Sequence, residues 1–317
     1  MRPRRTRTDP DDAGLIDLHT HSIASDGSDS PTQLAAMAAA AGLSAFALTD
    51  HDTLDGLAEA EAAADAAGVR LVRGCEFACE VPTGGMHVLV YFLDHGPGPL
   101  QDQLARLRAG RGVRNEAILD VLAEHGMEIS VAEVLAEAGD GSVGRPHIAA
   151  LMVRKGYVDS FAAAFDLWLA TGRPAYLGRD RLTAEETISL AHASGAVAVL
   201  AHPTTLGLDR DEAGEFIGGL AGVGLDGLEC EYGRYPPEQR AVWRRLADEL
   251  GLCPTGGSDY HGVYKPDLFL GTGLGDLCVP DEFLEELERR RPTLAEGSAG
   301  GGDGLAGERR GEGVAPG

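Results

Sequence analysis

The sequence has no run of about eighteen apolar residues, so nothing in it is expected to span a membrane. Positive charge is also scarce: 27 Lys and Arg stand against 50 Asp and Glu, a formal net charge of −23. That balance argues against duplex DNA, which calls for a basic face. A phosphate-bearing ligand would have to find its positive charge locally, and bound metal ions would supply it. Lysine is missing between Met1 and Leu151 and again between Gly156 and Val263. The five cysteines (Cys75, Cys79, Cys230, Cys253, Cys278) are odd in number and lack CxxC spacing, which points to reduced, mostly buried small residues. Cys75 and Cys79 flank Glu76, but their spacing fits no zinc pattern. No apolar segment follows the basic start MRPRRTRTDPDD, so neither a Sec nor a Tat signal is expected and a cytoplasmic location is the default.

What is present is an ordinary globular composition: 317 residues, 44% hydrophobic and 24% charged. Short apolar runs alternate with alanine-rich helical stretches, the grammar of repeated βα units and a mainly parallel sheet. Strands are expected at 15–18, 45–48, 70–72, 87–93, 196–201, 225–230 and 252–255. Helices are expected at 30–41, 56–67, 184–194 and 237–250, each stopped by a glycine at Gly42, Gly68, Gly195 or Gly251. The rhythm breaks after the fourth strand, where 96–176 reads as an inserted helical subdomain between two barrel portions, 15–95 and 177–292. Residues 1–14 read as a disordered arm, and the glycine-rich 293–317 as a disordered tail.

Histidines and acids fall at the ends of the apolar runs. LIDLHTH ends in His19 and His21, AFALTDH in His51, LVRGCE in Glu76, and LCPTGGSDYH in Asp259 and His261; AVAVLAHP contains His202. In a parallel barrel the carboxyl ends of strands converge on one rim. His19 and His21 are two apart, so on an extended segment both rings face one side and can grip one ion; Asp259 and His261 repeat the device. Imidazoles and carboxylates without thiolate suit Mn²⁺, Fe²⁺ or Zn²⁺. Asp17, Asp50 and Asp52 lie beside the histidines, either as acceptors that fix imidazole tautomers or as solvated surface acids. His95, His125 and His192 sit in loop or helix contexts and read as structural.

The segments DLHTHSIASDG, LTDHDTLDG, GCEF, HVLVYF, LAHP and GGSDYHG resemble, in order, the metal-site motifs of the PHP (polymerase and histidinol phosphatase) superfamily, from about Ile16 to Gly262. The resemblance implies a distorted seven-stranded (βα) barrel with a helical insertion and three divalent ions at the carboxyl rim, Mn²⁺ first among them. It implies the ligands His19, His21, Asp26, His51, Glu76, His87, His202, Asp259 and His261, with Glu76 bridging two ions. Asp26 and His87 come from the resemblance alone; His87 otherwise reads as a strand-start histidine. The implied chemistry is in-line attack on phosphorus by metal-activated hydroxide.

Within the insertion, GSVGRPHIA offers a glycine-rich turn before Arg145 and His147, with a guanidinium fork suited to phosphate; the plainer reading is a helix start with Pro146 in its first turn. Together with PAYL it is similar to the PHP subgroup that removes the 3′-phosphate of nucleoside 3′,5′-bisphosphates and trims short RNA from the 5′ end. Where that subgroup leads one to expect a lysine after PAYL, this chain has Gly178, Arg179 and Asp180. The expected partner is therefore a small phosphorylated substrate, a nucleotide or short oligoribonucleotide, with no membrane and no obligate protein partner. Histidinol phosphate phosphatase is the alternative within the same chemistry. A non-catalytic PHP module of a larger assembly is another, disfavoured because all nine ligand positions are filled. A TIM-barrel amidohydrolase shares the HxH but typically adds a metal-bridging lysine late in the barrel, and no lysine occurs here between Met1 and Leu151 or between Gly156 and Val263.

Overall fold

The computed structural model describes residues 15–81, 84–138, 144–170, 172–177 and 181–292. The expected arm, the expected tail and the 178–180 stretch with Arg179 lie outside the described residues. Seven strands follow one another: β1 (Ile16–Asp17), β2 (Ala45–Leu48), β3 (Arg70–Cys79), β4 (Met86–Tyr91), β5 (Val197–Leu200), β6 (Gly227–Tyr232) and β7 (Cys253–Gly257), each paired with the next. Beyond β1 the chain also meets β7 and its extension: Leu18 N–H donates to the Gly256 carbonyl at 3.1 Å, and Asp259 N–H to that of His19 at 2.8 Å. The result is an α/β fold with a nearly closed, barrel-shaped sheet. Gly257 permits the closure, since a Cβ there would lie 2.4 Å from the backbone nitrogen and Cβ of His19.

Two details depart from the expected parallel barrel. β4 runs antiparallel to both β3 and β5, while the other neighbours are parallel. β3 does not stop at 72 but continues through Glu76 to Cys79, where Ala78 faces His87 and Cys79 faces Met86 in the β3–β4 ladder. A strand reversed in this way brings its beginning, not its end, to the rim where its neighbours finish. That is why a strand-start histidine, His87, reaches the site.

The helices are α1 (Pro31–Ala40), α2 (Leu57–Ala67), α3 (Pro99–Glu124), α4 (Val131–Ala138), α5 (Arg145–Arg154), α6 (Phe161–Ala164), α7 (Ala184–Ala193), α8 (Arg210–Gly222), α9 (Pro237–Leu250) and α10 (Asp281–Arg289). α1 opens on a capping box, Ser30 with Gln33, and α7 on Thr183 with Glu186, each satisfying amides the first turn would leave bare. The four glycines expected to stop helices all have φ between 67° and 75°, the left-handed region that costs an L side chain dearly.

Strands covered on both faces need apolar residues at every position, which is why they read as unbroken runs. Ile16, Leu18, Ala47, Leu89, Tyr91, Val197 and Val199 fill one cluster, closed by Val279, Leu284 and Leu287. Alternate residues such as Val88, Val90, Ala198 and Leu200 pack outward against α7 and its neighbours. Each fully buried Leu or Ile stabilises by roughly 1.5–3 kcal/mol. Between β4 and β5 the helices α3 to α6 and the π-helical turn Phe165–Leu169 share a cluster of their own, including Ile118, Leu122, Ile148, Met152 and Leu169.

Candidate metal centre

The nine residues gather at one rim. Glu76, 1% exposed, lies at their centre. Its Oε2 is 3.2 Å from His19 Nε2, 3.1 Å from His21 Nε2 and 3.3 Å from His51 Nδ1. Its Oε1 is 2.8 Å from His87 Nδ1 and 3.0 Å from His202 Nε2. Asp259 turns Oδ1 toward His19 Nε2 and His21 Nε2, at 3.6 and 3.4 Å. Asp26 completes the far side, 3.3 Å from His261 Nε2, 3.6 Å from His21 Nδ1 and 3.8 Å from His51 Nε2.

The tautomers of three rings follow from what holds their other nitrogen. His19 Nδ1–H donates to Glu229 Oε1 at 2.8 Å, and His261 Nδ1–H to its neighbour's backbone carbonyl, Asp259 O, at 2.9 Å. Thr205 Oγ1 gives its proton to the carbonyl of Gly85 or His202, so His202 Nδ1–H donates to that hydroxyl at 3.2 Å. In the neutral form all three rings direct an Nε2 lone pair at a carboxylate oxygen, and against burial the carboxylates of Glu229 and Glu76 raise the pKa of His19 and His202. Two facing lone pairs repel unless a proton or a cation lies between them. His19 Nε2, both nitrogens of His21, His51 Nδ1 and His87 Nδ1 are buried without a hydrogen-bond partner, the condition a bound cation relieves. The residues therefore fit divalent metal ions. Three groups have ligand atoms close enough to share an ion: His21, Asp26, His51 and His261; His19, His21 and Glu76; His51, Glu76 and His87.

The electrostatics follow from burial opposed by neighbours. Burial penalises the Glu76 carboxylate, but His51, His87 and His19 outweigh it and hold its pKa well below the ordinary value. Asp259 is likewise held low by His19 and His21 despite burial. Burial pulls His21 down, yet the adjacent Asp259 and Glu76 carboxylates raise it to about 9, whereas at His51 burial wins and the ring falls to about 3.

Backbone strain concentrates at the same rim. Asp52, His202 and Asp259 all have positive φ, at 50°, 25° and 55°. His202 is held there by its N–H donating to Glu229 Oε2 at 2.7 Å, and Asp259 by its bond to His19 O.

Two of the acids beside the histidines do not fix imidazole tautomers. Asp17 accepts from the backbone N–H of Ser258 (2.9 Å), Gly271 (2.7 Å) and His19 (3.2 Å), tying β1 to β7. Asp50 accepts from Ser22 N–H, Ser22 Oγ and Ser25 Oγ, fixing the loop that carries Asp26. These bonds orient backbone and hydroxyl groups, not imidazoles. The side chains that do orient rings are Glu229 and Thr205, which sequence reasoning missed; Asp259 Oδ2 in turn accepts from Tyr232 OH and Lys265 Nζ. Glu229 had a signal: GLECEY places acids inside an otherwise apolar strand, and a buried carboxylate must have partners.

Arg145 and His147 lie at the start of α5, the plainer of the two readings. Arg145 Nη1 donates to Leu169 O at 2.8 Å, and its guanidinium lies 5.0 Å from the Tyr176 ring centre. His147 Nδ1 accepts from Gly144 N–H at 3.1 Å. These contacts belong to the helical segment, not to the cluster. His95 pairs with Glu61, His125 with the Val121 carbonyl and His192 with Asp226, all structural. Four cysteines are free and buried, and Cys278 is free and exposed. No helix among the described residues is long and apolar enough to cross a membrane.

Known proteins resemble this chain over most of its length. Residues 17–138 match the PHP domain family. The 5′-3′ exoribonuclease of Haemophilus influenzae is 34% identical over 245 residues, 77% of this chain and 89% of that protein. The 3′,5′-nucleoside bisphosphate phosphatase of Chromobacterium violaceum is 30% identical over 286 residues, 87% of this chain and 97% of that one. A solved structure from Bifidobacterium adolescentis, described as a candidate metal-dependent phosphoesterase, superposes with a TM-score of 0.71 at 30% identity, covering 89% of this chain and 98% of its own. With identity sustained across nearly the whole of such relatives, and with the histidine and carboxylate cluster complete, the chain belongs to the PHP domain family.

Proposed function

We propose that this chain is a metal-dependent phosphoesterase that removes the 3′-phosphate of nucleoside 3′,5′-bisphosphates, trims short RNA from the 5′ end, or does both. What carries the reading is Glu76, with Oε2 turned to three imidazoles and Oε1 to two others, the arrangement of a carboxylate shared between cations. The three overlapping ligand groups support three divalent ions, Mn²⁺ first and Fe²⁺ or Zn²⁺ also suited, held by His19, His21, Asp26, His51, Glu76, His87, His202, Asp259 and His261. Such ions, when bound, acidify water and offset charge on phosphoryl oxygens.

The protein's own part is orientation. Glu229 and Thr205 hold His19 and His202 with Nε2 inward, and the Asp259 carbonyl does the same for His261. Arg145 presents a guanidinium from the start of α5 for the phosphate. Burial lowers the pKa of His147 and leaves it neutral, and because its Nδ1 accepts from Gly144, its Nε2–H is available to donate to substrate. On this reading the inserted segment 96–176 selects the substrate. The nucleotide class is supported by the two relatives matched over about nine-tenths of their length, one an exoribonuclease and the other a nucleoside bisphosphate phosphatase.

Metal-reconstituted protein is expected to release inorganic phosphate from adenosine 3′,5′-bisphosphate with a higher kcat/KM than from histidinol phosphate. The reverse ranking would reject the nucleotide assignment and leave the phosphoesterase class standing.

A further inference from the structure

Lysine is nearly absent from this chain: Lys155 and Lys265 are its two examples. Lys155 serves the helical segment, bonded to the Glu128 carbonyl and paired with Glu133. Lys265 stands at the metal rim. Its Nζ donates to Asp259 Oδ2 at 2.6 Å, and Tyr232 OH donates to the same oxygen at 2.8 Å. Asp259 Oδ1 faces His19 and His21. One carboxylate, 3% exposed, thus joins a side-chain ammonium directly to the cluster.

The position is built. Lys265 directly follows the 3-10 turn Gly262–Tyr264, whose first residues are pinned to the Asp26-bearing loop: Ser28 N–H donates to the His261 carbonyl, and Val263 N–H to Ser28 Oγ at 3.0 Å. The Lys265 side chain keeps 30% of its surface in solvent, so its ammonium stands between cluster and exterior. The nearby Arg234 is committed elsewhere, forked onto both oxygens of Asp267.

A lysine beside an acid that also serves cations holds a charge the acid only half needs. With ions on Oδ1, the pull of Asp259 on the ammonium weakens, and Tyr232 still satisfies Oδ2. The ammonium then has a long, flexible stem, three donors and an incoming dianion as its best partner. In a chain of net charge −23, a part-exposed ammonium beside the cluster is a local source of positive charge for an anionic substrate.

We infer that Lys265 is a substrate-binding residue of this site, its ammonium held on Asp259 and contacting the phosphoryl group of the bound ester. The inference rests on the phosphoesterase reading for its ester, but not for its anion.

The test uses the full-length protein with Lys265→Met and Lys265→Arg, and three measurements: metal content, affinity for inorganic phosphate by calorimetry, and KM with kcat on adenosine 3′,5′-bisphosphate. Lys265→Met is expected to keep wild-type metal stoichiometry while its phosphate affinity falls about tenfold or more, the loss of a charge-assisted hydrogen bond. KM should rise by a similar factor with kcat changed far less, and Lys265→Arg should restore most of the affinity. Loss of metal in Lys265→Met would make the lysine a prop for Asp259 and overturn the inference. So would unchanged phosphate affinity, or an arginine variant as weak as the methionine one. Because phosphate binding is read without turnover, a failure of the nucleotide assignment would appear only in the kinetic arm.

Discussion

Glu229 lies inside β6, 1% exposed, and both its oxygens are in use, one on His19 Nδ1–H and the other on His202 N–H. A single carboxylate thus sets a ring tautomer and stabilises a strained backbone turn. Glu229→Gln keeps the volume but offers one oxygen and one NH₂, so one of the two donors must face another donor. Metal affinity is expected to fall about 10–100-fold, as for other residues that orient ligating histidines, with the circular dichroism spectrum unchanged. Competition against a chelating dye measures it, and wild-type affinity in the variant would contradict the ring-holding role of Glu229. At this scale the sequence was readable where chemistry is rare: adjacent histidines after apolar runs announce themselves. It was silent on who orients them, because Asp17, Asp50 and Glu229 are all acids near the site in three dimensions, and only their hydrogen bonds separate the backbone clamps from the ring holder.

At the scale of elements, the site depends on strands ending level with one another. β1 through β3 and β5 through β7 do so by running parallel; β4 does so by running backwards, which delivers His87 from its start. Register between the first and last strands depends on Gly257, where any Cβ would strike His19. Gly257→Ala is expected to destabilise the fold by about 1–3 kcal/mol, the usual cost of forcing atoms into a packed interior. It should be read as a lower urea midpoint at constant m-value, with a parallel loss of metal affinity as His19 shifts. A midpoint matching wild type would mean that the closure is looser than the distances imply. Helix limits were readable to within a residue or so, because caps and stop glycines are local signals. The direction of β4 was not, since an apolar strand has the same pattern either way and only its partners decide.

For the whole molecule, the cluster proposed to hold the metals is also a stress on the fold. Without cations, Glu76, Asp259 and Asp26 crowd buried imidazoles whose nitrogens must take up protons or leave lone pairs opposed; bound cations would relieve both. Metal-loaded protein is therefore expected to melt several degrees above the same sample after chelation. Binding only to the folded state adds about 2.7 kcal/mol when free ion is a hundredfold above its dissociation constant. Equal melting temperatures in scanning calorimetry would show that the ions add nothing to folding, against the unpartnered ring nitrogens of His19, His21, His51 and His87.

By itself the sequence determined the class of fold and the metal-binding vocabulary, because hydrophobic period, caps and rare clusters of His, Asp and Glu are properties of short segments. The tertiary structure alone decided which acids hold rings and which hold backbone, why a strand-start histidine belongs to the centre, and that Lys265 reaches Asp259. Those are relations between residues far apart in the chain, such as His19 and Glu229, 210 positions apart, and no local pattern encodes a distance that exists only once the barrel has closed.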